Sequence, residues 1–250
     1  MARHSHWANI KHKKAKSDAR RGRLWGKCAK AIMVAARTGS PDPAANLALR
    51  YAVEEAKAAN MPRDTIERAI KKGSGELGGE NYEPIRYEGY GPGGVAIVID
   101  ALTNNRTRTA GEVRMIFTKY GGNLGATGCV GYMFDARGRI TIDEQAVTED
   151  ALMAVAIEAG AEDVYAGDGL WTVVTSSADL LNVKDSIEKA RIRIEASEVT
   201  MIPNALTEVN AEIAAKVVKL VDALEDNDDV QKVYTNLDAS AEALEAALKD

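Results

Sequence analysis

The chain is poor in cysteine, histidine and aromatic side chains, and each shortage excludes something. Its two cysteines, Cys28 and Cys129, lie far apart in different segments. That rules out a disulfide framework and suits reduced thiols in a cytoplasmic protein. Aromatic residues make up 5% of 250, which favours small helical and α+β units over one thick core. No run of about 18 apolar residues occurs, so neither a membrane span nor a membrane partner is expected. The three histidines, His4, His6 and His12, all fall near the N-terminus. No positioned Ser or Cys nucleophile accompanies them, and the remainder of the chain has no imidazole base. The glycine-rich stretches Gly91-Pro92-Gly93-Gly94 and Gly121-Gly122-Asn123-Leu124-Gly125 lack the Lys-Ser/Thr of a P-loop and the dinucleotide fingerprint. The acidic run Glu225-Asp226-Asn227-Asp228-Asp229 lacks the spacing of a calcium loop and is read as the cap of a surface turn. The expectation is a protein that is not an enzyme, with no metal, no cofactor and no small-molecule substrate.

What is abundant is positive charge in one place. The first thirty residues hold ten Lys/Arg against one acid, Asp18, whereas the other 220 hold 22 against 36. A basic head on an acidic body points to a polyanionic partner, and nucleic acid is the first candidate. Within the head, Arg3, Lys11, Lys13, Lys14, Lys16, Arg20, Arg21 and Arg23 supply phosphate contacts. Trp7 and His12 are interleaved with them and offer flat surfaces that stack on a base or ribose, and His4 and His6 join the candidate nucleic-acid contacts. A solvated tail needs no tryptophan and does not abut a capped helix. A lipid-binding tail would need a continuous apolar face, which is missing.

Residues 1–16 show no apolar periodicity and read as an arm. Ser17 caps a helix striped by Leu24, Cys28, Ala31, Ile32 and Ala35. A second helix over 44–59 buries Leu49, Ala52, Val53 and Ala56 and closes on a left-handed Asn60. Pro62 opens a third, which Gly73 stops. Gly73-Ser74-Gly75 and Gly78-Gly79 read as a linker. Alternation at Val95, Ile97 and Ile99 then predicts a strand. A helix follows with Thr109 and Glu112 as a capping box and Val113, Ile116, Phe117 and Tyr120 as its stripe. A hairpin is expected between 129–134 and 139–142 across Arg137-Gly138. Further helices are expected over 149–158, 178–190 and 211–225, with strands at 163–165, 171–174, 198–202 and 230–234. The predicted class is α+β in three domains. They are a basic arm and helical bundle (1–80), an α+β domain from 81–135 with 204–250, and an α+β domain inserted at 136–203, both of the latter ferredoxin-like. Contiguous domains in chain order are the alternative arrangement.

A second basic constellation, Asn104-Asn105-Arg106-Thr107-Arg108-Thr109, falls at a helix start, where free N–H groups favour phosphate. Arg106 and Arg108 therefore join the candidate nucleic-acid contacts. The competing reading is an ordinary polar helix start with Arg106 paired to an acid.

The motifs HSHWANIKHKKAKSDARRGR, NMPRDTIERAIKKG, YEGYGPGGVAIVIDALTNNRTRTAGEVR, KYGGNLGATGCVGYMF and VTMIPN resemble the YebC family over nearly the whole chain. Arg3 stands where that family usually has Gly, and His6 where it usually has Lys. The resemblance implies a helical bundle plus two α+β domains and a non-catalytic regulator of gene expression, described in the family as DNA-binding and transcriptional. The alternative it implies is a translation factor that binds ribosomal RNA and the ribosome. A basic arm with Trp7, together with the Arg106/Arg108 loop, suits irregular folded RNA better than B-form DNA, and the helical bundle shows no obvious helix-turn-helix recognition helix. A ligand-sensing role rests on fold analogy alone. The protein is expected to be monomeric.

Overall fold

The computed structural model describes residues 18–249 except Gly79. The first unit is helical: α1 Asp18–Thr38, α2 Leu47–Ala58 and α3 Arg63–Gly73. Asn46 caps α2 by accepting from the Leu49 N–H, and its amide donates to the Ala35 and Ser40 carbonyls at 2.8 and 2.7 Å. One buried side chain thereby fixes the turn between α1 and α2. The core holds Cys28, Ile32, Ala35 and Ala36 against Leu49, Ala52, Val53, Ala56, Ile66 and Ala69. The expected stripe of α1 is off at one position. Leu24 is exposed, and its neighbour Trp25 packs instead, donating to the Ala59 carbonyl at 2.9 Å. Asn60 is left-handed (φ 56°), as the closing of the second helix requires.

The second unit begins with a hairpin, β1 Glu83–Tyr90 and β2 Ala96–Thr103, turned through Gly93 and Gly94 at φ 73° and 77°. After it come α4 Arg106–Lys119, β3 Asn123–Leu124 and β4 Phe134–Asp143. Then follow α5 Glu149–Glu158, β5 Ala161–Gly167, β6 Leu170–Ser176, α6 Leu180–Lys189 and β7 Ala196–Pro203. The chain ends with β8 Thr207–Glu208, α7 Ala211–Glu225, β9 Val230–Thr235, β10 Leu237–Asp238 and α8 Ala241–Lys249. One sheet has the order β3-β1-β2-β9 and another β5-β6-β4-β7. In the second of these the chain runs β4-α5-β5-β6-α6-β7, the ferredoxin-like succession. Its helices bury Leu152, Ala156, Leu180, Val183 and Ile187 on Ile140, Ile142, Trp171 and Val173.

In the first sheet, Tyr87, Ile97, Ile99 and Ala101 face α4 and α7 through Val113, Phe117, Val217, Leu220 and Leu224. The opposite face, Ala96 and Val98, is covered by Val130 and Phe134 with Met201 from β7. Both faces of β2 are therefore apolar, which is why its run AIVIDALT barely alternates. The link 125–133 is pinned by Glu88, whose buried carboxylate accepts from the N–H groups of Gly128, Val130 and Gly131 at 2.8, 2.9 and 2.6 Å. Burial pushes this acid up, and the three N–H bonds more than offset it, leaving it below its ordinary value.

Two expectations are corrected. Residues 129–134 and 139–142 do not form a hairpin, because β4 is one continuous strand running through Arg137-Gly138 between β6 and β7. Gly138 is a glycine for packing: a Cβ there would stand 2.1 Å from Thr175 Oγ1 and 2.8 Å from Leu180 Cβ. Thr109 and Glu112 do not form a capping box either. Asn105 caps α4 by accepting from the Arg108 N–H, which frees Thr109 for a buried hydroxyl contact with Thr103 at 2.8 Å.

Candidate nucleic-acid interface

Helix α1 carries Arg23, Lys27 and Lys30 at spacings of four and three, which places them on one stripe. All three reach the acidic segment after α7. Arg23 pairs with Asp226 at 2.9 Å, and Lys27 donates to the Glu225 carbonyl at 2.6 Å. Lys30 donates to the Asp228 carbonyl at 2.9 Å and to Asp229 Oδ1 at 3.0 Å, with its ammonium 5.0 Å from the centre of the Tyr82 ring. The run 225–229 is thus more than a surface turn cap. It is the C-terminal, electronegative end of a helix with extra carboxylates, and it receives the cationic stripe of the bundle. Among the described residues, these three cations of the head are engaged in contacts within the protein.

Asp229 is the centre of this contact. It is 4% exposed and accepts from Arg108 at 2.5 Å, Thr109 at 2.8 Å and Thr103 at 3.2 Å, besides Lys30. Burial alone would raise its carboxyl, but the bonds from Arg108, Thr109 and Lys30 hold it at about 2. Another charged junction joins the helical bundle to both four-stranded sheets. Lys232 of β9 pairs with Glu55 of α2 and lies 3.5 Å from Glu198 of β7. Burial would push this ammonium down, and the two carboxylates keep it above its ordinary range. Nearby, Lys184 of α6 pairs with Glu54 at 3.2 Å and the Tyr51 hydroxyl donates to the Ser177 carbonyl.

Of the residues singled out in the sequence, Arg3, His4, His6, Trp7, Lys11, His12, Lys13, Lys14 and Lys16 lie outside the described residues, as does the Ser17 cap. Arg20 and Arg21 fall in the first turn of α1. Arg23 points into the contact with Asp226. Arg106 and Arg108 flank the start of α4, and both have carboxylate partners. Arg106 forms a two-pronged pair with Glu83 at 2.6 and 2.7 Å, half exposed. A phosphate can replace Glu83 there at little cost, since an exposed ion pair is weak and screened by salt. Arg108 is held by the buried Asp229 and is the harder of the two to recruit.

A further basic cluster, on α3, is not evident from the sequence. Its buried side is Ile66, Ala69 and Gly73, and Arg68, Lys71 and Lys72 are exposed on the other. No carboxylate pairs with these three cations among the described residues. The signal was present as charge at i, i+3 and i+4 opposite an apolar stripe. It was masked by the stronger charge density of the arm. No group of three or more His, Cys, Asp or Glu able to hold a metal occurs among the described residues. No described helix is long and apolar enough to cross a membrane.

Comparison with known proteins agrees with this architecture. Residues 5–76 match the TACO1/YebC protein N-terminal domain, and 82–237 match the TACO1/YebC second and third domain. A probable transcriptional regulatory protein of Persephonella marina is 53% identical over 98% of this chain and 99% of its own length. One from Natranaerobius thermophilus is 54% identical with the same coverage. The crystal structure of a conserved hypothetical protein from Aquifex aeolicus superposes with a TM-score of 0.83 at 51% identity, covering 94% of this chain and 98% of that one. The chain belongs to the TACO1/YebC family.

Proposed function

We propose that this protein is a non-catalytic regulator of gene expression that grips nucleic acid, DNA in the first instance, through its basic N-terminal segment. The observation that carries this reading is the separation of charge: ten cations and one acid in thirty residues on a body with 22 cations and 36 acids. A charge pattern of that kind gives phosphate affinity through counterion release at the head, while the body as a whole is net acidic. The names of the relatives, probable transcriptional regulatory proteins, favour a duplex target in the cytoplasm. Arg23, Lys27 and Lys30 attach the bundle to the body. The grip is therefore assigned to Arg3, Lys11, Lys13, Lys14, Lys16, Arg20 and Arg21, with stacking by Trp7 and His12, and with Arg106 as an outlying contact.

Fluorescence anisotropy with a labelled duplex at several salt concentrations tests this. With about six phosphate contacts the affinity falls around a thousandfold or more from ~50 to ~200 mM salt. Removing residues 1–17 leaves α1 whole and takes away five of the cations. It should abolish measurable binding while circular dichroism stays unchanged. Unaltered affinity and salt slope in the truncated protein would refute the assignment. Tighter binding to ribosomal RNA than to duplex DNA at equal salt would move the target from transcription to translation.

A further inference from the structure

We infer that the exposed face of α3, made of Arg68, Lys71 and Lys72, is a second contact for the phosphate backbone of duplex DNA. This rests on the nucleic-acid reading above and extends it to a surface outside the arm. The three side chains lie on the face turned away from Ile66 and Ala69. The acids nearest in sequence form no ion pair with them: Glu67 is held by Arg63 at 2.8 Å, Glu76 accepts from Ser74 at 3.1 Å, and Asp64, one turn before Arg68 on the same side of the helix, is not paired with it. Other prominent cations of the body, Arg86, Arg106, Arg108, Lys184 and Lys232, have carboxylate partners. Cations left unpaired together on one helix face are the complement of a polyanion. An open cleft of about 520 Å³ adjoins the patch and is lined by Arg37, Pro41, Lys72, Ser74 and Asn81. It gives a backbone room to lie against the helix end.

Position argues for a rigid duplex. Gly73 packs directly on the last turns of α1, where a Cβ would stand 2.5 Å from the Met33 carbonyl and 2.8 Å from Ala36 Cβ. The α3 patch therefore lies at the C-terminal end of α1, whereas Arg20 and Arg21 lie at its N-terminal end. The eighteen residue-to-residue steps from Asp18 to Ala36 span about 27 Å at 1.5 Å each. At 3.4 Å per step that is about eight base pairs. The stripe between the two ends, Arg23, Lys27 and Lys30, is turned into the body. A duplex laid along the bundle thus meets phosphate contacts at both ends of α1.

The test is the variant Arg68→Gln/Lys71→Gln/Lys72→Gln in the full chain, titrated with a labelled 20-base-pair duplex between ~50 and ~200 mM salt. Glutamine keeps helix propensity close to that of Lys and Arg, so the fold is retained and is checked by circular dichroism. A matched control replaces the exposed and likewise unpaired Arg114, Lys189 and Lys219 with Gln, removing the same net charge elsewhere. The α3 variant should bind roughly a hundredfold more weakly at ~0.1 M salt, with a salt slope shallower by about two to three. The control should change affinity only a few-fold. Equal losses in the two variants would reduce the effect to net charge and overturn the inference. So would an unchanged salt slope in the α3 variant while deletion of 1–17 still abolishes binding, a result that leaves the proposed function standing. A loss seen with an RNA duplex and not with DNA would overturn duplex DNA as the occupant. No binding by the unmodified protein to either duplex would fail the proposed function, and this inference with it.

Discussion

Replacing Asp229 with asparagine tests whether the acidic end of α7 holds the helical bundle in place. The change keeps the shape and removes the charge that Arg108, Thr109 and Lys30 stabilise. A carboxyl held at about 2 against an ordinary 3.8 contributes about 2 kcal/mol to folding at neutral pH by linkage. The substitution leaves Lys30, 17% exposed, without its carboxylate, while Arg108, 44% exposed, returns to water. Leaving Lys30 partly buried and unpaired adds about 1 kcal/mol, so the expected loss is about 2–4 kcal/mol at pH 7.

The pH dependence separates this account from simple misfit. A depressed carboxyl stabilises fully above its ordinary value, and the contribution fades as pH falls toward about 2. The stability gap between Asp229→Asn and the parent should therefore shrink by about 1 kcal/mol between pH 7 and pH 3. Urea unfolding at both pH values measures it. A double-mutant cycle with Lys30→Ala should give a coupling of about 1–2 kcal/mol. A gap below about 0.5 kcal/mol at pH 7, or one that is the same at both pH values, would refute the reasoning.

Glu88→Gln leaves a single oxygen to accept for three N–H groups, so the amides of Gly128, Val130 and Gly131 should lose about ten- to a hundredfold in hydrogen-exchange protection. Because this carboxyl is also depressed, the parent's protection should weaken as pH falls and not as it rises. Protection that survives the substitution would sink the idea. Gly138→Ala should cost about 2–3 kcal/mol or more through overlap with Thr175 and Leu180. Gly111→Ala inside α4 meets nothing within 4 Å and should stabilise by about 0.5–1 kcal/mol. Thermal melts that order the two the other way would contradict the packing. Burial raises the Cys28 thiol to about 11, and Cys129 is only half-buried. An alkylating reagent should label Cys129 first and Cys28 only on unfolding; equal labelling rates in the folded protein would be inconsistent with that core.

Several features depend on neighbours in the chain and were legible from the residues alone. The apolar face of α2, the left-handed turn at Asn60 and the charge on the first thirty residues are of this kind. Periodicity, backbone sterics and net charge act over a few residues, so a single chain displays them. The pairing of β9 with β2 joins residues more than 130 positions apart, such as Ile97 and Thr235, and nothing local encodes it. The short β8–β10 pair went unread for the same reason, whereas α8, which buries Leu244 and Ala247 at a spacing of three, is locally encoded and was missed.

The candidate site divides along the same line. That the head of the chain is cationic is a property of composition. Which cations bind outward and which bind inward depends on where carboxylates arrive from distant segments. Arg23, Lys27 and Lys30 look no different from Arg20 and Arg21 until Glu225–Asp229 is placed against them. Gly138 reads as a turn until Leu180 is seen lying on it. Charge and periodicity are written along the chain. Ion-pair partners and steric limits are relations through space, and only the tertiary structure decides them.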